Sequence, residues 1–254
     1  MLIDICLPVY NEEKILKKNA DRIFDYCCKA DFLFEWRIII INNGSSDKTP
    51  EICEGIASER MLIKIITEPG RGRALKTYWQ ESPADIVLYM DIDLAVSLEH
   101  INELISPLTE NGYDLTFGSR LLPASRIERS FIRELSSRTY NMLSRIMLGH
   151  EYSDLQCGFK AIRKEKFLDI AGQIEDPGWF FDTELIAFAN HAGFNIKEIP
   201  VNWEENRWDQ RKSKVNLIKD SLKFMKNLAR LRMRLNALRE NREFMTIDIV
   251  SEND

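Results

Sequence analysis

Four times within its first 110 residues the chain repeats one pattern: a short apolar, β-branched run, a polar turn, then a segment with helical spacing. The apolar runs are residues 2–9, 37–41, 63–67 and 86–90. The first is almost continuously apolar, the signature of a strand buried on both faces. Helices are predicted over 12–28, from 49, over 74–81 and over 97–108; in the first, Ile15, Leu16, Ile23, Phe24 and Cys27 share one face. Thr49-Pro50-Glu51 predicts an N-cap, a first-turn proline and a first-turn acid, and Ser97 predicts the N-cap of the fourth helix. Consecutive parallel strands need a crossover, and a helix is the usual one. The pattern therefore dictates an α/β fold with a mainly parallel central sheet covered by helices.

In open sheets of this kind ligands bind beyond the carboxyl ends of the strands. Those ends carry the polar turns Tyr10-Asn11-Glu12, Asn42-Asn43-Gly44-Ser45, Gly70-Arg71-Gly72-Arg73 and Asp91-Ile92-Asp93. Asp91 and Asp93 follow an apolar strand directly, so alternation sends both to one side with Ile92 packed opposite. Paired hard oxygens at a strand end suit Mg²⁺ or Mn²⁺; the plainer alternative is two solvated acids in a loop. Residues 42–47 read either as an Asx and Ser turn or as a polar shelf for a base and ribose. Residues 70–74 match a dinucleotide fingerprint only in part, since they follow the third strand and Leu75 stands at the last glycine position.

With 254 residues, 44% of them hydrophobic, the chain can bury one large core, and disorder or a disulfide miniprotein is excluded. Its five cysteines are odd in number and form no Cys-x-x-Cys, which predicts reduced, mostly buried thiols. No apolar run approaches the ~18–20 residues of a membrane span, and no basic stretch precedes the first strand, so a cytoplasmic location is expected. Charge divides unevenly. Residues 207–242 hold twelve Lys or Arg against three acids, whereas the last twelve residues hold four acids and no base. The expected organisation is an acidic body over 1–206, a basic amphipathic helical arm over 207–245 and an acidic tail over 246–254.

Taken in order, the segments Pro8-Val9-Tyr10-Asn11-Glu12-Glu13, Asn43-Gly44-Ser45-Ser46-Asp47-Lys48-Thr49, Gly70-Arg71-Gly72-Arg73-Ala74, Asp91-Ile92-Asp93, Gly118-Ser119-Arg120, Asp154-Leu155-Gln156-Cys157-Gly158-Phe159-Lys160, Phe181-Asp182-Thr183-Glu184-Leu185 and Glu198-Ile199-Pro200-Val201-Asn202-Trp203 resemble the motif series of family 2 glycosyltransferases. The likeness is to the branch of dolichyl-phosphate glucosyltransferases and polyprenyl-phosphate mannosyltransferases, and it runs from about Leu2 to Trp203. It implies a Rossmann-like nucleotide-sugar transferase fold of the GT-A type and an inverting hexosyltransferase that holds its donor diphosphate through Mg²⁺ or Mn²⁺. Asp91 and Asp93 match the metal positions. Pro8, Tyr10, Asn11, Glu12, Asn43, Ser45, Gly72, Arg73 and Asp91 match the donor-binding segments. Asn43 stands where relatives carry Asp, so a UDP-sugar is the first expectation, with a cytidine donor open because an amide both donates and accepts. Arg73 replaces the last glycine of the relatives' Gly-Lys-Gly-Gly loop.

Arg120, Arg126, Arg129, Arg133 and Arg138 crowd one segment. The resemblance assigns Arg120 and Arg133 to the phosphate of a polyprenyl or dolichyl phosphate acceptor, for which a guanidinium fork is suited; the alternative is a salt-bridged helix surface. A hydroxyl acceptor would instead require a base, and Asp182 beside Trp179, Phe180 and Phe181 is the nominee, unless it caps a helix. A nucleotide-sugar-binding protein without catalysis is the third alternative. The arm carries Ile218, Leu222, Met225 and Ala229 on one stripe and Phe224, Leu228, Leu231, Leu235 and Leu238 on another. It is expected to lie peripherally on the inner membrane surface, to fold back on the body, or to pair in a homo-oligomer. Nucleic acid is not an expected partner, because interleaved aromatic stacking residues are scarce.

Overall fold

The structure, a computed structural model, describes the backbone of residues 1–128, 131–204 and 217–251 and the side chains of residues 1–127, 134–204 and 223–240. The first half runs β1 (Leu2–Val9), α1 (Leu16–Lys29), β2 (Glu35–Asn43), α2 (Thr49–Ile56), β3 (Met61–Ile66), α3 (Arg71–Glu81), β4 (Ile86–Met90) and α4 (His100–Glu110). It continues through β5 (Leu115–Ser119), β6 (Arg126–Glu128), α5 (Phe131–Leu148), β7 (Phe159–Arg163), α6 (Lys164–Ala171), α7 (Phe181–His191), β8 (Ile196–Pro200), β9 (Asn202–Glu204) and α8 (Leu217–Ser251).

Seven strands form one sheet in the order β3-β2-β1-β4-β7-β5-β8. The repeated units of the sequence supply the parallel half, β3 to β4, and β7 enters antiparallel between β4 and β5. Alternation then sorts the core into two layers. Ile3, Ile5, Leu7, Ile38, Ile40, Leu88 and Met90 pack with α1, α2 and α4; Cys6, Ile39, Ile41, Val87 and Tyr89 pack with α3, α6, α7 and α8. All five cysteines are free, and four of them are buried.

Several local expectations shift. Helix α1 begins at Leu16, four residues past the first acid of its segment. Thr49 does not cap α2: it lies inside the helix, and its hydroxyl accepts the Glu12 N–H at 2.8 Å. Ser97 does not cap α4, which starts at His100. Helix α3 starts at Arg71, so the expected glycine loop is the first turn of a helix. Helix α8 runs through the boundary expected at residue 245 to Ser251, and it is not a free arm. Its stripe of Phe224, Leu228, Leu231, Leu235 and Leu238 packs into the second core layer, while Met225 and Ala229 stay at the surface. Arg234 clamps this arrangement by pairing with Glu184 of α7 at 2.6 Å and Glu175 at 3.3 Å. Ile218 and Leu222 lie outside the described side chains. Among the described residues no helix is long and apolar enough to cross a membrane.

Candidate active site at the carboxyl ends of the sheet

The parity that sends Val87 and Tyr89 toward α3 and α7 sends Asp91 the same way, just past the end of β4. There it meets Arg71, which leaves the first turn of α3 and reaches Asp91 at 3.3 Å and Asp182 of α7. Asp182 is wholly buried, and the Tyr89 hydroxyl and Lys160, 2.9 Å away, meet its other oxygen. Lys160 is also wholly buried, and it sits in register between Tyr89 and Phe117 on β7. The Arg71 guanidinium lies over the rings of Trp179 (4.2 Å) and Tyr89 (5.4 Å), and its Nε has no hydrogen-bond partner. Two carboxylates, Asp91 and Asp182, therefore meet the cations Arg71 and Lys160.

The charge balance is visible in Asp91. Burial raises its carboxyl, Arg71 opposes the rise, and Asp93 and Asp182 add to it, leaving Asp91 at about 6. It keeps 39% side-chain exposure, so it faces an opening. Gly158 makes room for it, since a Cβ there would overlap the Asp91 carboxylate. Ile92 is buried in the opposite core layer, and Asp93 is half-buried in the turn that follows β4. The turn closes through Leu94, whose φ of 55° is a left-handed conformation that a branched residue adopts at a cost of roughly 1 kcal/mol or more. Two hard-oxygen donors at an open strand end, with excess negative charge and space cleared by a glycine, fit a divalent cation. Among the described residues no cluster of three or more His, Cys, Asp or Glu forms a closed metal cage, so such an ion would draw its remaining ligands from water or a substrate.

The turns after β1 and β2 are knit to each other. The Asn11 N–H donates to Ser45 Oγ at 3.0 Å, and the Ser46 N–H donates to Asn11 Oδ1 at 2.8 Å. Asn11 takes a positive φ of 52° to do this. Pro8 is buried in β1 beyond the last residue paired with β4, Tyr10 is 37% exposed at the rim, and Glu12 is buried below it.

Four sequence assignments change here. Asn43 is 3% exposed and both ends of its amide are engaged: Nδ2 donates to Val9 O at 2.8 Å, and Oδ1 accepts the Gly70 N–H at 3.0 Å. It ties β1, β2 and α3 together, and these bonds fix the orientation of the amide. Gly72 serves packing, because a Cβ would stand 2.5 Å from Asp176 O and 2.6 Å from Phe181 Cβ. Arg73 turns outward to an ion pair with Glu68, away from Asp91. Asp182 does not cap α7, and its carboxylate faces Arg71, Lys160 and Tyr89, not an apolar shell.

Beyond the end of β5, Asp154 takes Arg120 Nε at 2.6 Å and Nη2 at 2.9 Å. Burial alone would raise Asp154; Arg120 outweighs it and holds the carboxyl at about 2. The guanidinium lies 6.0 Å from the Trp203 ring, and its Nη1 stays outside the fork with Asp154. Arg126 is exposed on β6, and Arg138 pairs with Glu134 at 2.8 Å. Arg129 and the side chain of Arg133 lie outside the described residues. Sequence reasoning passed over Tyr89, Lys160 and Asp154 as site residues. A lysine inside the apolar run Phe159-Lys160-Ala161-Ile162 was the available signal, because a buried ammonium demands a carboxylate.

Comparison with known proteins identifies the family and the fold. Residues 4–170 match the Glycosyl transferase family 2. Among curated proteins, the chain is similar to glycosyltransferase AglD of Haloferax volcanii, with 34% identity over 87% of this chain and 35% of that protein. It is also similar to the dolichyl-phosphate beta-glucosyltransferase of Saccharomyces cerevisiae, 28% identical over 96% of this chain and 78% of the yeast protein. The chain thus spans about a third of the archaeal relative's length. Among solved structures, glucosyl-3-phosphoglycerate synthase from Mycobacterium tuberculosis in complex with UDP superposes with a TM-score of 0.65 at 21% identity, over 92% of this chain and 79% of that one. The same synthase is known with Mn²⁺, UDP and its glucosylated product. That likeness establishes the GT-A fold.

Proposed function

The chain belongs to the Glycosyl transferase family 2, and from that premise we propose that it transfers a hexose, with inversion, from a nucleotide diphosphate sugar to a polyprenyl phosphate at a membrane surface. One observation carries the proposal: Asp91 and Asp182 converge on Arg71 at the carboxyl ends of the strands, with Asp91 facing the opening and Asp93 adding negative charge to it. Asp91 and Asp93 would hold Mg²⁺ or Mn²⁺, whose charge would offset the negative charge that grows on a departing diphosphate. The Mn²⁺ and UDP of the structurally similar synthase support that ion and a uridine donor.

The chain's own residues have distinct parts. Ser45 and the Asn11 turn wall the nucleoside pocket between β1 and β2. Asp182 holds Arg71 toward Asp91, and Lys160 and Tyr89 hold Asp182 in turn. Arg71, held by Asp91 and Asp182 beneath the Trp179 ring, would lend its fixed positive charge to the donor phosphates from a sheltered site. Arg120 would offer Nη1, which its fork with Asp154 leaves out, to the acceptor phosphate.

A phosphate acceptor is favoured over a hydroxyl one because Asp182 is enclosed by two cations and cannot reach an incoming hydroxyl from a fully buried position. A phosphate oxygen is already anionic at neutral pH and needs no base. The test is transfer of labelled glucose from UDP-glucose to a short polyprenyl phosphate with Mn²⁺. Extractable label matched by UDP release is expected, with none when the alcohol replaces its phosphate. Equal transfer to the alcohol, or none to the phosphate from a chain that binds UDP, would overturn the proposal.

A further inference from the structure

Helix α5 presents two unlike faces. Inward, Tyr140 donates to or accepts from Thr183 Oγ1 at 2.6 Å, Gln156 Nε2 donates to the same oxygen at 2.6 Å, and Asn141 Oδ1 accepts the Leu155 N–H at 3.0 Å. This face braces the segment that holds Asp154 and the helix that holds Asp182. Outward, Leu135, Met142 and Ile146 are 55%, 55% and 69% exposed. Their spacing of seven and four residues returns each to one side of the helix, and Leu143 flanks them half-buried. A run of large apolar side chains at this exposure is unusual for a surface that meets only water.

The rim of this stripe is basic. Arg138 and Arg145 flank it on α5, and Ile146 shares a cleft with Arg232, Asn236 and Arg239 of α8. Arg232 also anchors α8 here by donating to Met147 O at 3.0 Å. Glu134 answers Arg138, and the remaining arginines of the rim face outward or bond to backbone oxygens. The chain as a whole carries a net charge of −5, so this cationic rim stands out against an acidic body. An apolar stripe between arginines matches a bilayer with anionic headgroups, where the side chains enter the acyl boundary and the guanidinium groups meet phosphates.

We propose that the outer face of α5, rimmed by the arginines of α5 and α8, is the surface by which this protein docks on an anionic lipid bilayer. The acidic remainder of the body is repelled from such a bilayer, which fixes the orientation. The helix that touches lipid is then the helix that braces Asp154 and Asp182, so docking sets the acceptor side of the site at the headgroup level. The purpose of this surface rests on the lipid-phosphate reading above; its existence is tested without it.

The experiment is sedimentation of the full chain with vesicles of phosphatidylglycerol and phosphatidylcholine, in the absence of donor and acceptor. Wild type is expected to pellet with the mixed vesicles and not with pure phosphatidylcholine. The double variant Met142→Glu/Ile146→Glu should lose at least about tenfold in binding, and Met142→Asn/Ile146→Asn somewhat less, should the glutamates impair folding. Leu33→Glu, at an apolar residue 92% exposed beyond the opposite ends of the strands, should bind as wild type. Transfer to a water-soluble polyprenyl phosphate should survive the double variant, so loss of that activity in wild type would indict the functional reading and leave this one standing. Wild type that ignores anionic vesicles, variants that bind equally, or a dimer that the double variant dissolves would each overturn the docking surface.

Discussion

Helix α3 touches a buried ion cluster at each end, and the two differ in kind. At its last turn and C-cap, Tyr78 and Ser82 donate to Asp4 at 2.7 and 2.6 Å, and Arg37 completes a fork on the same carboxylate. One acid meets one base, each oxygen of the wholly buried Asp4 is satisfied, and the cluster is closed. At its first turn Arg71 meets Asp91 and Asp182, a second cation lies buried beside them, and the Arg71 Nε is left without a partner. That cluster is open, crowded with like charge, and topped by a carboxylate held at about 6. A network satisfied in itself holds strands in place, whereas one that leaves a carboxylate facing its open side is arranged for something that arrives.

The largest expected effect lies at the closed end. Asp4→Ala leaves Arg37 facing a void and should cost about 3–5 kcal/mol in denaturant unfolding, while UDP affinity of the folded fraction stays unchanged. A comparable loss of affinity would mean that the two clusters are not separable. At the open end the signs reverse. Asp91→Asn should lower transfer by roughly 100-fold with a melting temperature at or above wild type, because a donor ligand is lost and like-charge crowding is relieved. A large drop in melting temperature would instead class Asp91 with Asp4.

A smaller effect sharpens the contrast. Gly158→Ala places a methyl against the Asp91 carboxylate and should reduce turnover by about tenfold with a normal KM for the acceptor; unchanged turnover would show that the position of Asp91 is not critical. The smallest effect is on stability against pH. Folding raises the Asp91 carboxyl from 3.8 to about 6, mainly through burial, so the native state favours its protonated form. That stabilisation is complete below the unfolded value and is lost as pH rises through about 6. Asp91→Asn should therefore melt about 2 °C above wild type at pH 7.5, with the gap closing toward pH 4. A gap constant across that range would contradict the assignment.

Much of the fold was legible because it rests on local patterning: β1 and β4 lie where their apolar runs predicted, and Asp91 points where strand parity sends it. What failed to show was three-dimensional. Asn43 looks like a base reader in a polar turn, and only the approach of Val9 O and the Gly70 N–H reveals both of its ends engaged. Arg71 opens a helix at the positive end of its dipole, an unfavourable place for a cation on local rules. It becomes intelligible once Asp182, 111 residues away, is brought beside it. The arm's two stripes were equivalent in sequence; packing against α5 and α7 chose the leucine stripe for the core. Lys160 carried a readable signal in its apolar strand, because a charge there requires a partner wherever the chain supplies one.

The claim on which the account turns is that the open cluster receives the diphosphate of a sugar donor together with a divalent ion. Calorimetric titration of UDP-glucose into the wild-type chain and into Asp91→Asn, each with Mn²⁺ and with a chelator, tests it most directly. Binding to wild type that requires Mn²⁺ and weakens by at least about tenfold in Asp91→Asn is the expected result. Equal affinity in all four titrations would contradict it.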